Sequence, residues 1–166
     1  MQPFNRILVP VDFSGPSRAA LEYAVFLGSK FGAEIDVLHV WRPPEDVESR
    51  MQLLSEFKVS DAGHKMVTWL ASCELHGGVE AHGRVAPGAR RDVPDTVVGA
   101  GEAGSYDLVV MGTHGHQGLM HLLRGSITEE VVRRAPCPVV TVHEKSAHPE
   151  DRMVTRDEED LGARTY

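Results

Sequence analysis

The sequence predicts an α/β fold, an open five-stranded parallel sheet flanked by helices. Three observations carry that expectation. Five short apolar runs are separated by stretches of helical periodicity. Two of the runs, Arg6 to Val11 after its opening arginine and Leu108 to Met111, are continuously apolar, as strands buried on both faces require. The strongest glycine loop directly follows the second of these, where an open parallel sheet binds its ligands.

The elements follow in order. Arg6 to Val11 reads as the first strand, and Asp12-Phe13-Ser14-Gly15-Pro16-Ser17 breaks it with turn and capping residues. Ala20, Tyr23, Ala24, Leu27 and Phe31 form a helical stripe over 17–31, with Gly32 as its C-cap. Ile35, Val37, Leu38 and Val40 make a second strand. A long polar helix is expected from Asp46 to Leu75, ended by Gly77-Gly78, and a third strand from Val79 to Val85. After a charged connector over 86–93, a short helix starts at Pro94 with Asp92 as its cap and fades at Gly99-Ala100-Gly101. Leu108 to Met111 is the fourth strand. A Gly- and His-rich loop spans 112–125, with a helical turn expected at 119–123. Ser126 to Ala135 is the last helix and Pro138 to Val142 the fifth strand. Such alternation produces a parallel sheet with right-handed crossovers.

The 166 residues suit one domain with an ordinary core. Residues 144–166 hold seven acidic and four basic residues and few large apolar ones, and read as a solvated tail beyond a domain at 1–143. The net charge of −7 shows no basic stripe able to displace counterions, so no nucleic-acid partner is expected. No apolar run approaches the roughly 20 residues of a membrane helix, and no charged n-region precedes an apolar stretch. A cytoplasmic protein with no membrane partner is the expectation. Cys73 and Cys137 match no metal or redox spacing and read as free thiols.

The chemistry concentrates in Gly112-Thr113-His114-Gly115, nine further residues, and Gly125-Ser126. Glycines let backbone amides turn toward an anion, and Ser126 at a helix N-cap adds a hydroxyl beside the free N–H groups and the positive dipole end. Strand, glycine loop and helix N-terminus together make an anion-binding device.

Four motifs in order resemble the universal stress protein family: Val9-Pro10-Val11-Asp12-Phe13-Ser14, Val37-Leu38-His39-Val40, Met111-Gly112-Thr113-His114-Gly115 through Gly125-Ser126, and Ala135-Pro136-Cys137-Pro138-Val139-Val140. The resemblance covers about residues 4–143. It extends to the family's ATP-binding branch, marked by Gly-x2-Gly-x9-Gly-Ser/Thr. It implies a Rossmann-like five-stranded domain that pairs as a homodimer through the last strand, Val139 to Val142, and binds an adenine nucleotide, ATP with or without Mg2+. By the same resemblance Pro10, Val11 and Asp12 face the ribose or adenine, and the Val40 backbone contacts adenine. Met111, Gly112, Thr113, His114, Gly115 and His116 line the ribose and phosphates, and Gly125, Ser126 and Ile127 hold the phosphate tail. A carboxylate at Asp12 suits this role, because it accepts hydrogen bonds from ribose hydroxyls. His116 stands where relatives often carry Lys or Arg.

Other patterns carry less. Gly99-Ala100-Gly101-Glu102-Ala103-Gly104 spells GxGxxG, but it ends a helix and precedes a strand, the reverse of a dinucleotide fingerprint. His114, His116 and His121 lack a second ligand cluster, so no metal site is expected. Ser14 lacks a nucleophile elbow and reads as a turn or cap residue. Asp12 has an alternative role as the former of an Asx-turn. A catalyst needs a positioned base and usually a metal held by several carboxylates. Only Asp12 is evident, so a nucleotide-binding stress or signalling module is expected ahead of a slow ATP hydrolase or phosphotransferase. A dimeric interaction protein without nucleotide is the third reading.

Overall fold

Asp107 locks the start of the sheet. Its carboxylate accepts from the backbone N–H of Asn5 and Arg6, and its own N–H donates to the Arg6 carbonyl. The computed structural model describes residues 4–41, 58–73, 75, 78–88, 92–113 and 127–143. Its elements are β1 (Arg6–Val11), α1 (Gly15–Phe31), β2 (Glu34–Trp41), α2 (Lys58–Ala71), β3 (Ala81–Pro87), α3 (Val93–Gly104), β4 (Leu108–Gly112), α4 (Ile127–Arg134) and β5 (Val139–Val142). The strands form one parallel sheet in the order β3-β2-β1-β4-β5. This is the Rossmann-like α/β architecture expected from the sequence.

Alternate strand residues feed two cores. Ile7, Val9, Val11, Ile35, Val37, Leu108 and Val110 pack with Ala20, Leu21, Ala24 and Met66, so α1 and α2 cover one face. Leu8, Leu38, Val40, Val109 and Met111 pack with Val97 and Val131, so α3 and α4 cover the other. Right-handed crossovers in this strand order require that division.

Local chemistry explains the boundaries of α1. Ser14 caps it, with Oγ accepting from Ser17 N–H, and a proline stands in its first turn. Gly32 ends it at φ 72°, donating to the Gly28 carbonyl. Other boundaries differ from expectation. α3 does not fade at Gly99-Ala100-Gly101 but runs to Gly104. Glycine costs a helix about 1 kcal/mol, but Val97, Val98 and Gly101 are buried, and a methyl group on Gly101 would press on the Pro136 ring. Packing therefore outweighs propensity. The expected GxGxxG stretch thus lies inside α3, with β4 after it. Asp92 occupies the N-cap position, but its side chain makes no capping hydrogen bond, because its backbone is already αR. β3 is shifted two residues toward its carboxyl end, and Pro87 closes it on the sheet edge. The helix before β3 stops at Ala71, short of Leu75 and Gly77-Gly78. Residues 46–57, the turn at 119–123 and the tail at 144–166 lie outside the described residues.

Candidate functional site

β1 pairs with β2 along its whole length, from Arg6↔Glu34 to Val11↔His39. Against β4 its pairing consists of Ile7↔Leu108 and Leu8↔Val109. β4 meanwhile pairs with β5 up to Gly112↔Val142. The two central strands thus part toward their carboxyl ends, where the strand order reverses. Such a switch point opens the crevice in which open α/β sheets bind ligands. Pro10 and Val11 form one lip, leading to Asp12. Met111, Gly112 and Thr113 form the other.

On the first lip Asp12 is exposed and held by its own turn. Its Oδ1 accepts from Ser14 N–H at 3.0 Å and from Ser17 Oγ at 2.6 Å, while Ser17 Oγ accepts from Asp12 N–H at 3.1 Å. The first of these bonds is an Asx-turn, so the structural role weighed for Asp12 is realised. Ser14 is likewise a cap residue. The turn fixes a carboxylate at the crevice mouth, where it can accept hydrogen bonds from a sugar diol.

On the second lip the glycine has a packing reason. A Cβ on Gly112 would stand 2.5 Å from both the carbonyl carbon and oxygen of Pro16. The end of β4 therefore abuts the first turn of α1 backbone to backbone. Thr113 is turned toward β5: its N–H donates to the Val142 carbonyl at 2.9 Å, and its Oγ1 lies 2.6 Å from His143 Nδ1. Met111 and Val40 are buried on the α3–α4 face. Val40 sits near the carboxyl end of β2, one strand removed from the crevice. Ile127 opens α4, whose Thr128 Oγ1 lies 3.5 Å from the Gly112 carbonyl. The structure thus places Pro10, Val11, Asp12, Met111, Gly112 and Thr113 at the carboxyl ends of the two adjacent strands β1 and β4. His114, Gly115, His116, Gly125 and Ser126 lie outside the described residues.

Sequence reasoning missed the residue beside Asp12. Phe13 adopts φ 66°, a left-handed conformation uncommon for a bulky side chain. Its ring packs on His39 with centroids 4.2 Å apart and edge-on to Trp69 at 5.6 Å, and Lys65 Nζ lies 4.7 Å from its centroid. His39 Nδ1 stands 2.9 Å from the Val11 carbonyl, which can only accept, so that nitrogen carries the proton. These contacts hold the strained residue that orients Asp12. A phenylalanine directly after a strand-ending Asp was the available signal, but left-handed backbone cannot be read from Phe.

Among the described residues no helix is long and apolar enough to cross a membrane. The model of the Universal stress protein family matches residues 3–143. The universal stress protein MJ0531 of Methanocaldococcus jannaschii is 31% identical over 144 residues, covering 84% of this chain and 82% of its own. A solved structure of MJ0577, another universal stress protein of that organism, superposes with a TM-score of 0.67 at 27% identity, over 86% of this chain and 97% of its own. A universal stress protein solved in complex with cAMP superposes with a TM-score of 0.65 over 86% of this chain and 99% of its own. At 20% identity that likeness is one of fold.

Proposed function

Because the chain belongs to the universal stress protein family, we propose that it binds an adenine nucleotide, ATP with or without Mg2+, in the crevice between β1 and β4. It acts there as a binding module in stress response or signalling, not as a catalyst. One observation carries the reading. In sequence the series Gly112, Gly115, Gly125-Ser126 starts where β4 ends and stops just before Ile127, where α4 begins, and the turn-held carboxylate of Asp12 follows β1 on the other side of the switch point.

Asp12 receives the ribose hydroxyls, with Pro10, Val11 and the Val40 backbone toward the base. Backbone amides of 112–116 and 125–127 meet the phosphates, joined by the Ser126 hydroxyl and the positive end of the α4 dipole. His116 adds positive charge as it protonates. The fold also fits a homodimer through β5, whose outer edge has no partner strand among the described residues.

Isothermal titration with ATP tests the site. Gly115→Val places a branched side chain where backbone must approach phosphate. Affinity should fall at least about tenfold, equal to about 1.4 kcal/mol, with unchanged circular dichroism. Equal affinity in the two proteins would remove the loop from the site.

A further inference from the structure

Among the described residues α3 leaves part of the sheet uncovered. Beyond it, between α3 and the edge strand β3, lies a cavity of about 290 Å³ whose walls include Leu38, Ala86, Thr96, Ala100 and Ala103. That volume is at the small end of the ~300–1,000 Å³ typical of small-molecule sites. Among the described residues its wall is apolar except for Thr96, whose hydroxyl is already bonded to the Asp92 carbonyl, and Arg84.

Arg84 belongs to an ionic cluster on the same face. Asp36 Oδ2 accepts from Arg6 Nη2 and from Tyr106 Oη, each at 2.6 Å. Arg84 Nη2 donates to Tyr106 Oη, while its Nε stays 4.0 Å from Asp36 Oδ1. Burial, with the hydrogen bond to Asp36, pushes the Tyr106 phenol up to about 12, so it is neutral at pH 7. Two guanidinium groups therefore face one buried carboxylate, and Arg6 holds the closer contact with it. Glu34, the other nearby acid, is mostly exposed and 3.8 Å from Arg6. Arg6 therefore has two carboxylates in reach and Arg84 only the more distant oxygen of Asp36, so Arg84 is the less closely paired guanidinium, and its side chain is half exposed at the cavity. Among the described residues its Nη1 makes no hydrogen bond.

We propose that this cavity is a second ligand site, for a small aliphatic carboxylate that pairs with Arg84 and lays its hydrocarbon chain along α3. The chemistry selects that class. A planar guanidinium pairs well with a carboxylate, and the aliphatic walls reward an alkyl chain but give a base or sugar no hydrogen bonds. One half-exposed cation suits a monoanion better than a polyphosphate. The site goes beyond the nucleotide reading and does not rest on it.

Octanoate is the probe, followed by calorimetry and by 1H–15N NMR. Saturable shifts are expected at Ala86, Thr96 and Ala100. Octanol, equal in length and uncharged, should bind at least about tenfold more weakly. Ala100→Leu fills the cavity without touching the ionic cluster and should also weaken octanoate at least about tenfold. Arg84→Gln should do the same; because it also removes the bond to Tyr106, its fold is checked by circular dichroism and Ala100→Leu decides. Saturating ATP should leave octanoate affinity unchanged. The proposal is overturned if wild type shows no saturable shifts at those residues, if Ala100→Leu binds as tightly as wild type, if octanol matches octanoate, or if ATP displaces the probe.

Discussion

Alanine at Gly112 would place a methyl group where the Pro16 carbonyl stands. Backbone cannot swing aside as a flexible side chain can, so Gly112→Ala should cost about 1–3 kcal/mol, read as a lower urea midpoint with unchanged slope. An unaltered midpoint would show that the two backbones are not in contact. At Asp36 the test is pH. Burial alone would raise its carboxyl, but hydrogen bonds from Tyr106 and Arg6 and the charges of Arg84 and Arg6 outweigh it and hold it below the usual range. Its contribution to stability is therefore complete above the unfolded value of about 3.9 and is lost as pH falls through the lower folded value. Asp36→Asn should cost about 2 kcal/mol at pH 7, low for a buried pair because Arg6 is over one-third exposed. It should also flatten the acid limb of a stability–pH curve, and a variant as acid-sensitive as wild type would contradict this. Asp36 inside an apolar strand was a visible anomaly in the sequence. Its partners were not, since Tyr106 lies 70 positions away and only the fold brings them together.

Among the elements, those fixed by local chemistry were the ones legible in advance. Ser14, Pro16 and Gly32 bracket α1, and its bounds match the expectation to within two residues. Ser14→Ala should lower stability by about 0.5–1 kcal/mol, near the low end for an N-cap because Ser17 N–H stands 3.4 Å from the hydroxyl. Thermal melting would detect the loss, and a neutral result would mean that Asp12 and Ser17 hold the turn unaided. α3 was misjudged at its end, since Gly101 and Gly104 answer to Pro136 and Tyr106 and not to helix propensity. β3 was misplaced because an edge strand carrying His82 and Arg84 lacks the apolar run that marks β1 and β4. The ends of β1 and β4 were marked in the sequence by Asp12 and Gly112, the first through its turn chemistry and the second through a glycine that the structure explains by packing on Pro16. Phe13, held by rings from β2 and α2, shows only as a phenylalanine after Asp12, which does not reveal its left-handed backbone.

For the whole molecule, the proposed assembly is tested at β5. Val109 N–H donates to the Pro138 carbonyl and Thr113 N–H to that of Val142. In a parallel ladder alternate residues serve the same neighbour, so the backbone of Val140 faces β4 and that of Val139 and Thr141 faces outward. Thr141→Pro therefore removes an outward donor and spares the internal pairing. If copies join edge to edge about a two-fold axis, light scattering should show wild-type dimers and monomers of this variant; wild-type monomers at high micromolar concentration would end the idea. The strand order also sets a timetable. β1 is central, yet Ile7 meets its β4 partner only at Leu108, 101 residues later. At roughly 5–20 residues per second of synthesis, the edge that will become the crevice wall waits about 5–20 s for its neighbour. During that interval the nascent chain can assemble β1, α1, β2 and β3, but it has no opening to close around a nucleotide. On the proposed reading a nucleotide can assist the chain only after β4 has emerged, so it should stabilise the finished protein and leave the folding rate of its first half unchanged.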